Sequence, residues 1–328
     1  VQLNFTPPTS VNGVDFYEVY INGERFSTRE IKNSGGFITG LTPSTNYNIR
    51  IVAVDMFYNK SEFSNTVNVS TNTVDADSYF YINASGNQAH ETAIVNLFTD
   101  LKSQGLYTKI QAFYPFLGTT AAQHKWNAKN PLDTNAAFRL QFFGGGTHSN
   151  LGYQCNGTNA YANTFLIPSA VQNLHSNGLT VTVGTNNTKS LFSVEIGAEN
   201  SNTQSSLIYT RLQDSNTSVG CDLNTQSTRI NISNYNNSKG IFTGTKTVSN
   251  VHKLIRNGNV LGTGAGGGSL PTIPFWIGKY NSSIGPTQGF SKQRIQFTAI
   301  HEGLTDAEVV ALHTIIDNFE TAIGRKTW

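Results

Sequence analysis

The chain has 328 residues, of which 13% are charged, and a formal net charge of +2. Its lysines and arginines form no cluster, so the electrostatic footprint of a nucleic-acid surface is missing and nucleic acid is not an expected partner. No apolar run approaches the roughly 20 residues that span a bilayer, so membrane insertion is not expected either; that no signal peptide opens the sequence is ambiguous, because the chain starts in mid-domain.

The length exceeds one ordinary domain and suffices for a sizeable core, which makes two domains the starting expectation. Asn, Ser, Thr and Gln carry the polar surface in place of charge, as polar β-surfaces and turns do. The two cysteines, Cys155 and Cys221, have no CxxC or Cys/His spacing, so neither a zinc site nor a disulfide framework can be read from them. Free thiols are expected in a core this large.

Residues 1–73 read as short strands between turns: VQLNF, FYEVYING, FITGL, NYNIRIVAVD and TVNVST. Tyr47, Ile49, Ile51 and Ala53 alternate with Asn46, Asn48, Arg50 and Val52, the two-residue period of a half-buried strand. Asn22-Gly23 is the preferred two-residue hairpin turn. Residues 74–89, VDADSYFYINASGNQA, read as a solvated junction. Asp75 and Asp77 are spaced as two hard oxygen ligands, but no third ligand or loop glycine follows in a calcium spacing, so no metal and no cofactor is expected. Next, Ile94, Leu97, Phe98 and Leu101 recur at helical spacing and predict an amphipathic helix that stops at Gly105.

From residue 106 onward aromatic density peaks. Lys109 and Gln111 alternate with Ile110 and Ala112, and Arg139 and Gln141 alternate with Phe138, Leu140 and Phe142, predicting two sandwich strands joined by a long connection around Trp126. Strand then follows strand from 136 to 300, with turns at Asn186-Asn187, Asn236-Asn237 and Asn257-Gly258. The run from Gly262 to Gly268 reads as a surface loop too flexible to pack. Thr305 and Glu308 form a capping box for a last helix, with Val309, Leu312, Ile316 and Phe319 along one face.

Two resemblances rest on these blocks. GLTPSTNYNIRIVAVD resembles the signature of a fibronectin type III domain, which implies that Tyr47 is a tyrosine-corner residue bonding back to the upstream backbone, with Leu41 at the same corner. That family's first strand is missing before Val1, and Phe5 stands where a core Trp is usual, so the natural protein is expected to be longer. Residues 76–328 resemble the laminin-G-like, concanavalin A-like sandwich of bacteriophage and prophage tail, fibre and other surface proteins. The matching blocks are ETAIVNLFTDLKSQGL leading into YTKIQAFYPFLG, then HKWNAKNP, AAFRLQFFGG, GTNAYANTFLIPS, IGKYN and IQFTAIHEGLTDAEVVALHTIIDNFETAIGR.

The expected fold is all-β: a fibronectin type III-like sandwich at 1–73, a junction at 74–89, and a laminin-G-like jelly roll with two accessory helices at 90–328. The second resemblance implies a virion-surface setting and brings no shared catalytic set.

Glu195 and Glu199, in SVEIGAEN, are the carboxylate pair that invites an enzymatic reading, because residues four apart on a strand face the same way. Some glycoside hydrolases with such sandwiches carry Glu-x-Asp-x-Glu; here Gly197 replaces the central Asp, and nothing evident tunes the pair. The histidines show no HExxH spacing and no GxSxG marks a serine nucleophile. Gly144 to Gly146 and Gly266 to Gly268 lack the Lys-Ser/Thr of a phosphate loop and read as turns.

Sugar binding needs an aromatic ring with neighbouring amides, and three loops offer it: Trp126 with Asn127, His148 with Asn150 and Tyr153, and Tyr280 with Asn281. Core packing is the alternative for each ring. The expected function is that of a non-enzymatic virion-surface protein attaching to host-surface glycan, present as a homo-oligomer or in many copies beside other virion proteins. Its rivals are a purely structural virion subunit and a secreted bacterial glycan-binding protein or glycoside hydrolase using Glu195 and Glu199.

Overall fold

The computed structural model describes the chain except residues 10–11, 27–30, 39–40, 43–44, 72–74, 189–191, 212–216, 249 and 285–288. It divides into two compact units, Val1–Val74 and Asp75–Trp328.

In the first unit, strands Glu24–Arg25, Phe16–Ile21, Asn46–Val54 and Val67–Ser70 form an antiparallel sheet, and Gln2–Leu3 pairs with Gly36–Phe37. Asn22 (φ +52°) and Gly23 (φ +89°) both take the left-handed conformation that a type I′ hairpin requires, so this turn forms as the sequence specifies. Tyr17, Val19, Ile21, Ile31, Ile38 and Ile49 fill the core, with Phe5 edge-on to Tyr17 at 4.4 Å. The Thr42 N–H donates to the Tyr47 hydroxyl oxygen at 2.8 Å, and Leu41 packs partly buried against the same core.

The second unit is a sandwich of two eight-stranded sheets with helices on one side. One sheet runs, in spatial order, Asn259–Ala265, Val251–Arg256, Gly240–Val248, Asn177–Val183, Arg294–His301, Gly152–Gln154 and Thr147–Ser149, with Ile110–Tyr114 also paired to Arg294–His301. The other runs Ile230–Ser233, Ser218–Asp222, Gln204–Tyr209, Ile196–Ser201, Trp276–Ile277, Tyr161–Asn163 and Gln141–Phe143, with Tyr280–Ser282 added parallel to Ile196–Ser201. Ile196, Ala198, Ile208, Val219 and Cys221 from this second sheet meet Leu179, Val181, Phe242 and Leu254 from the first in one core. Both cysteines are free and buried.

Three helices cover the outer face of the first sheet: α1 (Ala76–Ser85), α2 (Glu91–Ser103) and α3 (Asp306–Ala322). The stripe Ile94, Leu97, Phe98 and Leu101 on α2 and the stripe Val309, Leu312, Ile316 and Phe319 on α3 are all buried there, against Phe113, Ile241, Ile255 and Phe297. Burial of this kind stabilises by about 1.5 to 3 kcal/mol per large side chain. α3 starts at the capping box, in which the Thr305 hydroxyl accepts from the Glu308 N–H and the Glu308 carboxylate accepts from the Thr305 N–H. The first sheet is thus helix-backed; none of these three helices covers the outer face of the second, the open sheet, where segments around Phe192 and Tyr280 bury Leu207, Tyr209 and Glu199 instead.

Three stretches depart from the sequence reading. Residues 74–89 were expected as a solvated junction, but 76–85 form α1: Asp75 caps it by accepting from Ser78 N–H, Tyr81 and Ile82 are buried, and Lys102 pairs with both Asp75 and Asp77. No helical apolar period announces α1, because its burial is confined to a few positions. Phe138 and Leu140 are not in a strand; a 3₁₀ turn at Asn135–Ala137 ends on Phe138 at φ +61°, and the strand is only Gln141–Phe143. The glycines after 261 were expected in a loose loop, yet Asn259–Ala265 is a strand, and a Cβ on Gly262 would lie 2.7 Å from Ile230 Cγ2. There the absent side chain permits close packing.

Arg325 locks α3 to the helix-backed sheet. It is 2% exposed and donates to the Glu320 carboxylate, to the carbonyls of Pro115 and Phe116, and to Gln296 O, while Gln296 Nε2 donates to Arg325 O. Arg325→Met should lower the unfolding free energy of the second unit by about 3 to 5 kcal/mol, because Glu320 and three carbonyls lose their donor while buried. Adding Glu320→Leu should recover part of the loss. Denaturant titration of the two variants checks both statements.

Candidate functional site

Alternation fixes what the open sheet presents. With Ile196 and Ala198 in the inter-sheet core, Gly197 and Glu199 face outward; with Ile208 inside, Leu207 and Tyr209 do so on the next strand. Tyr280, paired beside Gly197, completes a small outer cluster with Val194, Leu207, Tyr209 and Phe192. Two glycines make room for its ring. A Cβ on Gly197 would sit 2.6 Å from Leu207 Cβ and 3.0 Å from Tyr280 Cβ, and one on Gly289 would sit 2.6 Å from Tyr280 Cε1.

Between these elements lies a recess of about 330 Å³, lined by Glu199, Asn202, Gln226, Arg229 and the apolar Phe192, Leu207, Tyr280 and Ile284. Glu199 is 3% exposed and accepts from the Ser282 hydroxyl at 2.8 Å. Burial raises its pKa. Arg229 is held in place by a bidentate pair with the buried Asp222, at 2.7 and 2.6 Å, and Ser205 Oγ donates to the same carboxylate. The recess therefore offers fixed acceptors, amides and a guanidinium beside an aromatic ring, the chemistry that matches a polyhydroxylated ligand with apolar C–H faces.

Glu195 and Glu199 do not face each other as a catalytic pair. Glu195 precedes the strand, is 0% exposed, and its carboxylate is taken up by Thr210 N–H at 2.6 Å and Ser291 Oγ at 3.1 Å. The four-residue spacing misleads because Glu195 lies in a bend rather than in the ladder.

The three loops that sequence pattern proposed for sugar binding fare differently. Asn127 is 1% exposed and ties the interior together, its Oδ1 accepting from Phe113 and Lys129 N–H and its Nδ2 donating to Ala137 O. Trp126 packs partly buried against the helix-side core, with Lys125 Nζ 4.6 Å above its ring. Tyr153 is fully buried against Phe116, Phe142 and His148. His148 is half-buried and shares a 3.0 Å Nδ1 to Nδ1 contact with His124, whose pKa burial lowers to about 3. Asn150 is exposed in the turn beside it. Only the third loop reaches the recess: Tyr280 lines it, and Asn281 next door donates to Pro274 O at 3.0 Å.

Asn202, Gln226 and Arg229 were not singled out from sequence, since each looks like an ordinary turn or strand-end residue. The signal that finds them is sheet register, which places segments 25 to 80 residues apart on one face.

No protein-family model matches the chain, and no curated protein is similar to it in sequence. Among solved structures it is similar to domain 4 of AbnA, a GH43 extracellular arabinanase from Geobacillus stearothermophilus in complex with arabinotriose (16% identity, 62% of this chain and 98% of that one, TM-score 0.42). It is also similar to a botulinum neurotoxin type C structure described through cell entry by interaction with two ganglioside molecules (10% identity, 65% and 52% covered, TM-score 0.46). A third is the receptor binding domain of the botulinum neurotoxin C/D mosaic serotype (8% identity, 63% and 51% covered, TM-score 0.43). The chain spans about half the length of these two toxin structures. At such identities and scores no function follows from the likeness.

Burial pushes the Glu195 carboxyl up from 4.5 to about 7. A carboxyl with a raised folded pKa favours the protonated form, so its contribution is largest at low pH and is lost as pH rises from about 4.5 to about 7. The wild type should lose roughly 3 kcal/mol across that window through this group. Glu195→Gln, which keeps an acceptor for Thr210 N–H, should remove that slope in unfolding titrations run at several pH values.

Proposed function

We propose that the chain is a non-enzymatic component of a bacteriophage virion surface, from a tail, fibre or capsid-surface protein, in which a fibronectin type III-like spacer precedes a laminin-G-like sandwich that attaches to host-surface glycan. The observation that carries the attachment reading is the recess on the open sheet, where Glu199, Asn202, Gln226 and Arg229 line one cavity with Tyr280, whose ring is only 3% exposed and forms its apolar floor. Polar groups held by their own partners, as Arg229 is by Asp222, are preorganised for hydroxyl recognition. The sealed position of Glu195 favours binding over hydrolysis, since it denies Glu199 a second carboxylate across a glycosidic bond. The spacer reading draws on the Thr42 N–H to Tyr47 hydroxyl bond, the geometry of a tyrosine corner.

With a net charge of +2 and an Arg229 already neutralised, recess binding depends on hydrogen bonds and ring contact. Such contacts are worth about 0.5 to 1.5 kcal/mol each, so firm adhesion needs several copies held together, as an oligomer or among other virion proteins. The protein should bind neutral oligosaccharide from a host surface weakly as a monomer and strongly when multimerised, with little loss on adding salt. Glu199→Gln and Gln226→Ala should each weaken this binding by roughly tenfold, and no reducing ends should appear on prolonged incubation. Calorimetry and a reducing-end assay test this. Released reducing ends that Glu199→Gln abolishes would favour the hydrolase rival; no glycan binding in either form would favour the structural subunit.

A further inference from the structure

A second feature of the open sheet is independent of the recess. Ala162 and Ile277 point into the inter-sheet core, so their neighbours Tyr161, Asn163 and Trp276 face outward, joined by Phe143 on the edge strand. These rings form a row: Phe143 stacks on Tyr161 at 4.9 Å and 14°, and Tyr161 on Trp276 at 4.4 Å and 27°. Phe143 is 37% exposed at one end. At the other end the Lys279 ammonium sits 5.3 Å from the Trp276 centroid, 6.0 Å from Tyr161 and 4.5 Å from Phe290.

Lys279 is half-buried, and among the described residues no carboxylate lies within ion-pair distance of it. On the helix side Lys102, Lys109, Lys125, Lys253 and Lys326 have acidic partners, and Lys129, which sits over the Tyr107 ring, donates to Tyr107 O. Burial among the rings lowers the pKa of Lys279. Ring faces attract a cation but accept no strong hydrogen bond, so the three N–H donors are incompletely satisfied and their charge is little screened. Because the rings stack face to face, the row turns their edges, which carry the positive side of the ring quadrupole, outward toward sugar oxygens; the amides of Gln141 and Asn163 run alongside, since Asn163 pairs with both Gln141 and Trp276.

We propose that the Phe143–Tyr161–Trp276 row and Lys279 form a second glycan subsite selective for an anionic sugar, with the sugar lying across the edges of the aromatic row and the ammonium on its acidic group. A charge-assisted hydrogen bond from a desolvated ammonium is about twice as strong as a neutral one, which is the origin of the selectivity. The anion is a uronate carboxylate or a sugar phosphate, and both place the same charge on the same ring.

The test titrates the full chain with galacturonic acid trisaccharide, the neutral galactose trisaccharide, a hexose phosphate and inorganic phosphate. The acidic saccharides should bind at least about tenfold tighter than the neutral one, with a preference that falls as salt rises. Lys279→Met should abolish the preference, Lys279→Arg should keep it, and Glu199→Gln in the recess should leave it intact. Whichever of the uronate and the sugar phosphate binds more tightly identifies the anion. The proposal is overturned if Lys279→Met retains the preference, if neither acidic ligand outbinds the neutral one, or if inorganic phosphate competes as well as the sugars. A thermal melt of Lys279→Met matching the wild type excludes misfolding as the cause of a loss. Because Glu199→Gln weakens neutral-saccharide binding at the recess and Lys279→Met removes only the acidic preference, failure of one site is distinguishable from failure of the other.

Discussion

The strand Gly240–Val248 sends Ile241 toward the helices and Phe242 toward the opposite sheet, and its neighbour Arg294–His301 likewise contributes Phe297 to one side and Ile295 to the other. A sheet apolar on both faces must be covered twice, and the rest of the unit follows from that requirement. One cover is α1, α2 and α3; the other is the second sheet, whose inner face is spent on the core and whose outer face, among the described residues, carries segments around Phe192 and Tyr280 in place of helices. Arg325 makes the helical cover definite rather than merely greasy, because a guanidinium with its donors placed on Glu320, Pro115, Phe116 and Gln296 admits one docking geometry. Asymmetric cover is what leaves the recess and the row of rings on the side of the sandwich away from the helices.

Periodicity carried the helix-backed side well. Ile94, Leu97, Phe98 and Leu101, the Thr305 and Glu308 capping box, and the turns at Asn22-Gly23 and Asn257-Gly258 are all local signals, decided within one or two turns of chain. The candidate site was scarcely legible. Tyr280 was picked out for its ring and Glu199 for its charge, but the recess exists because a parallel strand at 280–282 lies against 197–199. No local pattern encodes that pairing. Gly197 illustrates the difficulty: from sequence it looks like the loss of a catalytic Asp, whereas in the fold it is the space that Tyr280 occupies.

Aromatic loops misled for a related reason. Trp126 lies in a connection and Tyr153 in a three-residue strand, both amid Asn and Gly that read as surface, yet the cores on both sides of the helix-backed sheet draw their rings inward. The rings of the proposed second subsite, Phe143, Tyr161 and Trp276, lie in strands two or three residues long, too short to show a period of two. The open sheet also differs from the rest of the chain in charge. Most lysines of the helix side are paired with carboxylates, whereas the open sheet keeps Lys279 among rings and a buried Glu199 beside a hydroxyl. Polar groups that fold stability does not consume are concentrated where a ligand can use them.

The central claim is that ligand binds the outer face of the open sheet. Hydrogen–deuterium exchange of the full chain, with and without surface polysaccharide extracted from a host bacterium, addresses it directly. Slowed exchange should appear within 196–209 and 276–284, the strands that carry the recess and Lys279, while 121–131 and 147–154 stay unchanged. Protection confined to those last two segments, around Trp126 and Asn150, would contradict the account.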